Sequence, residues 1–239
     1  MTKKSNDIVF TAALRTAIGR YKGMWKKYQA HDLGKTVIKN ILEKSKVEKN
    51  FIDEVIMGQV LTGGTGQNPA RQAAIKAGIP KEKTAYVINQ VCGSGLRAIV
   101  AGYQSILLGD AKIVIAGGQE SMTNSSEQMM LKDGLIDAYN DYHMGITAEN
   151  VADKWNISRE EQDAFAVSSQ QKTQEAIKNK RFKDEIIDEL TEDEHPRKDV
   201  TIKKLSTLNP AFKKNGTVTA GNSSGINDGS AAIQLMSRE

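Results

Sequence analysis

The chain has 239 residues, with 33 Lys and Arg against 29 Asp and Glu and a formal net charge of +4. That length buries one large core or two small ones, and so mild a basic excess, with scattered lysines and one small cluster at Lys178, Lys180, Arg181 and Lys183, carries no nucleic-acid signature. One cysteine excludes an internal disulfide and fits a reducing, cytoplasmic compartment; His31, His143 and His195 lack metal-ligand spacing; no apolar run reads as a bilayer span.

The N-terminal Met1–Asp7 lacks the apolar stretch of a secretory signal. Ile8–Ala13 then reads as a buried first strand. Asp32 is placed to cap a helix whose apolar positions are Leu33, Val37, Ile38, Ile41 and Leu42. Glu54–Val60 reads as a second strand. The glycine-rich Thr62–Gln67 follows; it has neither dinucleotide nor P-loop spacing and reads as a surface turn. Pro69 opens a short helix, Ala70–Ala77, as proline does in a first helical turn. Ala85–Asn89 is a third strand.

The next helix has the clearest pattern. Leu96, Ile99, Val100, Tyr103, Ile106 and Leu107 repeat at helical spacing, and Gly109 stops it. Lys112–Gly118 is a fourth strand. Strands alternating with helices predict an α/β layered fold with a largely parallel sheet. Beyond Met122 the chain turns polar with no clear strand, and Ser158-Arg159-Glu160-Glu161 is a capping box opening a helix to about Lys180. A last strand, Gly229–Met236, closes the chain. The reading is three regions: an α/β domain over 1–122, an inserted polar loop domain over 123–218, and a return segment over 219–239.

Cys92 sits in Gln90-Val91-Cys92-Gly93-Ser94-Gly95, between a strand and a helix. Partial positive charge and free N–H groups at a helix start favour thiolate, and the flanking glycines admit a substrate. A small core residue is the alternative for a free cysteine. The small residues of Thr219-Ala220-Gly221-Asn222-Ser223-Ser224-Gly225 let a narrow ligand lie against backbone, and a mild basic balance suits a phosphate-bearing small molecule.

Several segments together resemble the thiolase family: Gln67-Asn68-Pro69-Ala70-Arg71, Val91-Cys92-Gly93-Ser94-Gly95, Gly117-Gly118-Gln119-Glu120-Ser121-Met122, Tyr142-His143-Met144-Gly145, Pro210-Ala211-Phe212-Lys213-Lys214 and Gly216-Thr217-Val218-Thr219-Ala220-Gly221-Asn222. The likeness is to the short-chain biosynthetic branch, and to its first part only. It implies a layered α/β/α half with a mixed, mostly parallel five-stranded sheet. It implies that Cys92 accepts an acetyl group from acetyl-CoA, with its own N–H helping to hold the oxyanion, before a second acetyl-CoA gives acetoacetyl-CoA and free CoA. His143 and Met144 match positions at the pantetheine and acyl end. Leu135, Phe212, Ala220, Gly221 and Ser224 match the coenzyme A channel, and Arg197 its nucleotide end. No metal and no cofactor is implied; the coenzyme A thioesters are substrates.

The family also uses a His in a Gly-His-Pro setting and a second Cys in a Cys-x-Gly-x-Gly setting, and neither motif occurs in these 239 residues. The stretches between Met122 and Leu135 and between Ile187 and Glu194 look short beside the family pattern. The reading is therefore an acetyl-CoA acetyltransferase with little turnover as this isolated chain. A non-catalytic fragment that keeps an oligomerisation surface or residual coenzyme A binding is the alternative. A ketoacyl synthase fits less well, given the segments at Tyr142 and Asn68. The helix from Gly93 to Leu107 offers an apolar face for a homo-oligomer, a dimer or tetramer.

Overall fold

The computed structural model describes residues 7–187 and 192–238, so the N-terminal reading over residues 1–6 and part of the second shortened stretch lie outside the described residues. The strands are β1 (Ile8–Arg15), β2 (Gly19–Arg20), β3 (Glu54–Gly58), β4 (Thr84–Ile88), β5 (Ile113–Ser121) and β6 (Asn227–Ser237). They form one sheet in the order β1-β6-β5-β3-β4, with the two-residue β2 also on β6. β3 runs parallel to β4 and β5, while β6 is antiparallel to β1, β2 and β5. Every strand but β6 therefore points the same way. The five long strands make the mixed, mostly parallel sheet expected from the family likeness, and β2 adds a short sixth.

Helices α1 (Ala30–Ser45) and α2 (Pro69–Lys76) cover one face and α3 (Ser94–Leu108) the other. The alternation along β3 and β5 decides this. Val55, Met57 and Ile115 pack with Val37, Ile38, Ala70 and Ala73, while Ile56, Val114 and Ala116 pack with Ala98 and Ile106. Successive strand side chains point to opposite faces, so each strand feeds two cores.

Two local readings need correction. The N-cap of α1 is Gln29; Asp32 occupies the third helical position and accepts the Gln29 N–H at 3.1 Å, closing a capping box. β1 is the sheet's edge strand, and Phe10 is 64% exposed, so it is not the buried strand its apolar run suggested. The reason is topological: β6 arrives late in the chain and takes the interior position beside β5.

α3 approaches the sheet through small residues. A Cβ on Gly102 would lie 2.9 Å from a Val114 methyl, so glycine lets helix and strand close up. Its larger apolar residues face away: Leu96 is 70% exposed, and Val100, Tyr103 and Leu107 continue the stripe. The expectation of no membrane-length apolar run is also corrected, since Val91–Leu108 meets that length and composition with a mean hydropathy of 1.3. Here it is a core-forming helix with one face on the sheet, through Ala98 and Ile106.

Between β5 and β6 the described residues contain no strand. They hold α4 (Glu127–Met129), a π-helical segment (Met130–Leu135), α5 (Met144–Trp155), α6 (Arg159–Lys178) and α7 (Ile202–Ser206). The Ser158 capping box opens α6 as read; α5 is an addition.

The chain after α6 is tied back to β1 by an ion pair. Arg15 donates to both Asp193 oxygens at 2.7 and 3.0 Å and to Glu185 at 2.8 Å, and Asp193 also accepts the Ile18 N–H at 2.7 Å. Burial alone would raise the Asp193 pKa, but the hydrogen bonds from Arg15 and Ile18 outweigh it and hold it below the ordinary 3.8. A carboxyl held low contributes stability fully above its unfolded pKa and loses it as pH falls through the folded value. Asp193→Ala is therefore expected to cost about 2–3 kcal/mol at neutral pH, since it leaves Arg15 with Glu185 as its remaining carboxylate and the Ile18 N–H without an acceptor. Urea unfolding at pH 7 measures this, and the difference from the unmodified chain should shrink as pH falls below 3.8. A pH-independent difference would contradict the assignment.

Candidate active site

Cys92 stands one residue before Gly93, the N-cap of α3, on the short link from β4. The link is pinned at three points. Ser94 Oγ accepts the Gln90 N–H at 2.8 Å and donates to the Val91 carbonyl at 2.5 Å, and Asn89 Oδ1 accepts the Val91 N–H at 2.9 Å. Val91 has φ of 49°, in the left-handed region that a β-branched residue rarely adopts. The turn is thus held against its own preference, and it presents Cys92 as an exposed thiol. Among the described residues no protein group accepts the Cys92 N–H.

The thiol's surroundings are a cleft of about 320 Å³ at the C-terminal ends of β3 and β5, walled by Gly58, Gly118, Glu120, Asn227 and Gly229. Small residues keep it open and let α3 in: a Cβ on Gly58 would lie 2.5 Å from the Ser94 backbone. Glu120 accepts the Val60 and Leu61 N–H groups at 2.8 and 3.3 Å. Burial nonetheless pushes its carboxyl pKa up, and Asp228 adds to the effect.

A larger cavity of about 690 Å³ lies beside this cleft, with His195, Arg197, Lys198, Lys204, Ala220, Gly221 and Ser224 among its walls. Ile18 and Asn227 line both spaces, so the two are neighbours. The larger one is basic, with Asp199 the one carboxylate among the described residues that line it, and suits an anionic ligand. Asn227 also contacts His195. Its Nδ2 donates to the Gly19 carbonyl at 3.0 Å and to His195 Nδ1 at 3.1 Å.

The remaining sequence-predicted residues form a separate group. His143 caps α5, its Nδ1 accepting the Gly145 N–H at 2.9 Å, and its ring stacks on Phe212 at 4.8 Å and 19°. A side chain on Gly145 would collide with the Phe212 ring, so glycine is what admits the stack. Met144 is partly exposed beside them. Leu135 ends the π-helical segment, and its neighbour Ile136 pairs with His143. The structure thus brings Arg197, Ala220, Gly221 and Ser224 together on one cavity and puts Cys92 in the adjoining cleft. Leu135, His143, Met144 and Phe212 line neither space. His195, Lys198, Lys204 and Asn227 were not singled out from sequence; the His195-Pro196-Arg197-Lys198 run was the available signal. No cluster of three or more His, Cys, Asp or Glu suited to a metal occurs among the described residues.

The family model for the thiolase N-terminal domain matches residues 8–128 and 124–239. Its two blocks meet inside the Met122–Leu135 stretch that reads as shortened. The acetyl-CoA acetyltransferase of Rhizobium meliloti is 50% identical over 256 residues, covering 96% of this chain and 65% of that protein. The acetyl-CoA acetyltransferase of Shinella zoogloeoides is 49% identical over 259 residues, covering 98% and 66%. Both alignments are longer than this chain, so the relatives carry internal residues that it lacks. The crystal structure of the Bacillus anthracis acetyl-CoA acetyltransferase superposes with a TM-score of 0.90 at 38% identity, covering 98% of this chain and 66% of that one. The chain spans just under two thirds of the length of these relatives.

Proposed function

Because the chain belongs to the thiolase family, through its N-terminal domain, we propose that it is the nucleophile-bearing part of an acetyl-CoA C-acetyltransferase. The Cys92 thiolate attacks the acetyl carbonyl carbon of acetyl-CoA. The new bond joins that carbon to Sγ, the bond to the coenzyme A sulfur breaks, and coenzyme A leaves as a thiolate that takes up a proton. The Cys92 N–H, free of protein acceptors among the described residues, donates to the oxyanion formed on the way. The α3 N-terminus beside it favours negative charge at the same place. A second acetyl-CoA, its α-proton taken by a base that these 239 residues do not supply, then attacks the acyl carbon as a carbanion; Sγ leaves as a thiolate and acetoacetyl-CoA is released, and the reverse is thiolysis.

The observation that carries this reading is that Ile18 and Asn227 line both spaces. The Cys92 cleft thus adjoins a basic cavity whose Arg197, Lys198 and Lys204 suit the phosphates of coenzyme A. Ala220, Gly221 and Ser224 form a wall low enough for the pantetheine arm. In this reading His143 and Met144 stand at the pantetheine and acyl end, with Met144 keeping the pocket short, and Leu135 and Phe212 belong to the coenzyme A channel. The reading needs no metal and no cofactor, and it places the protein in the cytoplasm. These 239 residues hold neither the second cysteine nor the Gly-His-Pro histidine of the family, so the chain by itself should bind and react once rather than turn over. A non-catalytic fragment is the second reading, and it is favoured by Leu135, His143, Met144 and Phe212 lining neither the cleft nor the larger cavity.

Alkylation separates the two. Iodoacetamide should label Cys92 readily, and saturating acetyl-CoA should slow the labelling about tenfold or more, the equivalent of some 1.4 kcal/mol of protection. Acetoacetyl-CoA thiolysis by the same preparation should be negligible. Ligand-independent labelling favours the fragment, and family-like turnover overturns the expected inactivity.

We further propose a homo-oligomer, a dimer or tetramer, with the α3 stripe of Leu96, Val100, Tyr103 and Leu107 packed against a second copy. Arg97 is the one charged residue on that helix, and exposed apolar stripes of this kind favour association. Light scattering on the size-fractionated chain should give a dimer or larger, and Leu96→Lys with Leu107→Lys should shift it to monomer. A monodisperse monomer from the unmodified chain would count against the proposal.

A further inference from the structure

Two buried carboxylates hold the loop that walls the larger cavity, and one of them also joins that wall to the acyl-end residues. Glu149 lies on α5 and is 1% exposed. Its oxygens accept the Thr217 N–H at 2.9 Å, the Val218 N–H at 2.8 Å and the Thr217 hydroxyl at 3.1 Å. Gly216 makes room for this grip, since a side chain there would collide with the carboxylate. Asp163, on α6 and 2% exposed, accepts from Asn222 Nδ2 at 3.0 Å, while Asn222 Oδ1 accepts the Thr219 N–H at 2.7 Å. Between these two anchors the backbone carries Ala220 and Gly221. A Cβ on Gly221 would lie 2.6 Å from the Leu205 and Leu208 side chains, so the wall is pressed against its support.

α5 begins at the His143 cap and Met144, and Phe212 lies on the chain approaching the same loop. A carboxylate on α5 that fastens residues 217–218 therefore fixes two parts of the site relative to each other. Packing alone does not require an ionised group at this position. A buried carboxylate is costly to desolvate unless fully paired, and here three loop donors on two residues pair it.

We infer that Glu149 is a positioning residue for the coenzyme A channel, holding the Ala220–Ser224 wall in register with the His143–Met144 end of α5. The inference rests on the coenzyme A reading of the larger cavity. Glu149 touches no substrate; it acts through Thr217 and Val218.

The test uses the full chain and three measurements: coenzyme A binding by calorimetry, iodoacetamide labelling of Cys92, and amide hydrogen exchange. Glu149→Gln keeps the shape but turns an amide donor toward loop donors. It should weaken coenzyme A binding about tenfold or more, the cost of roughly one buried hydrogen bond to a charged group. Exchange should accelerate at residues 217–222 and 143–146, while Cys92 labelling in the absence of ligand stays unchanged. Thr217→Val, which loses only the hydroxyl contacts, should produce a smaller effect of the same pattern and covers the case in which Glu149→Gln fails to fold. Unchanged coenzyme A affinity with a loosened loop overturns the inference. So does faster exchange spread across the sheet with altered Cys92 labelling, which marks a merely structural role. If the unmodified chain binds no coenzyme A, the functional reading above fails. The exchange result then decides the coupling alone: joint loosening of 143–146 and 217–222 supports it, and loosening of neither or only one overturns it.

Discussion

The pairing of Ser121 with Asp228 fixes where everything else goes. β5 leaves the sheet at Ser121, and β6 re-enters beside it at Asn227, running the opposite way. The whole polar excursion must therefore start and finish at one point, the end of the sheet where the parallel strands β3 and β5 stop. The link from β4 to α3 emerges at that same end, carrying Cys92. Asp228 reinforces the junction by accepting the Thr123 N–H at 2.9 Å, which closes the mouth of the excursion. In open α/β sheets, ligands bind beyond the carboxyl ends of parallel strands. Here an inverted strand adds a second boundary, because its first residues form one wall of the Cys92 cleft.

From that junction the electrostatics follow without a dedicated binding motif. Asn227, at the start of β6, lines both the cleft and the basic cavity, and its amide nitrogen lies 3.1 Å from His195 Nδ1. The cations of the cavity come from the segment before α7 and from α7 itself, and the small residues come from the loop after Phe212. Neither segment belongs to the sheet. They are placed by carboxylates, the partly buried Asp193 toward β1 and the buried Glu149 and Asp163 toward the loop, so these three acidic residues act as internal fasteners. Burial would raise the Glu149 pKa, but donation from the Thr217 and Val218 N–H groups outweighs it and keeps the carboxyl below its ordinary value, which keeps the grip ionised at neutral pH.

The sheet and its covering helices were legible because their signals are local. Apolar spacing marked α3, Gly109 marked its end, and proline marked the start of α2. Burial was less legible, since it depends on strand order: the apolar run of β1 gives no hint that β6 will displace it to the edge. α5 went unread because its sequence, Met144–Trp155, mixes polar and small residues, and its cap is a histidine ring in place of the usual Ser, Thr, Asp or Asn. At the site, Cys92 could be found from its glycine-flanked junction. Asn227 and His195 could not, since their pairing joins residues far apart in sequence and exists only once β6 is in place. Glu149 was invisible for the opposite reason: a glutamate on a polar helix reads as solvated surface until the loop that consumes its oxygens is seen.

The account depends on Cys92 being a nucleophile within reach of a thioester. Peptide mass mapping of the chain after incubation with acetyl-CoA tests that directly. The account predicts one added acetyl group, confined to the peptide carrying Cys92, lost on treatment with hydroxylamine and absent from Cys92→Ala. An unmodified Cys92 peptide at saturating acetyl-CoA, or acetyl groups spread over surface lysines alone, would contradict it.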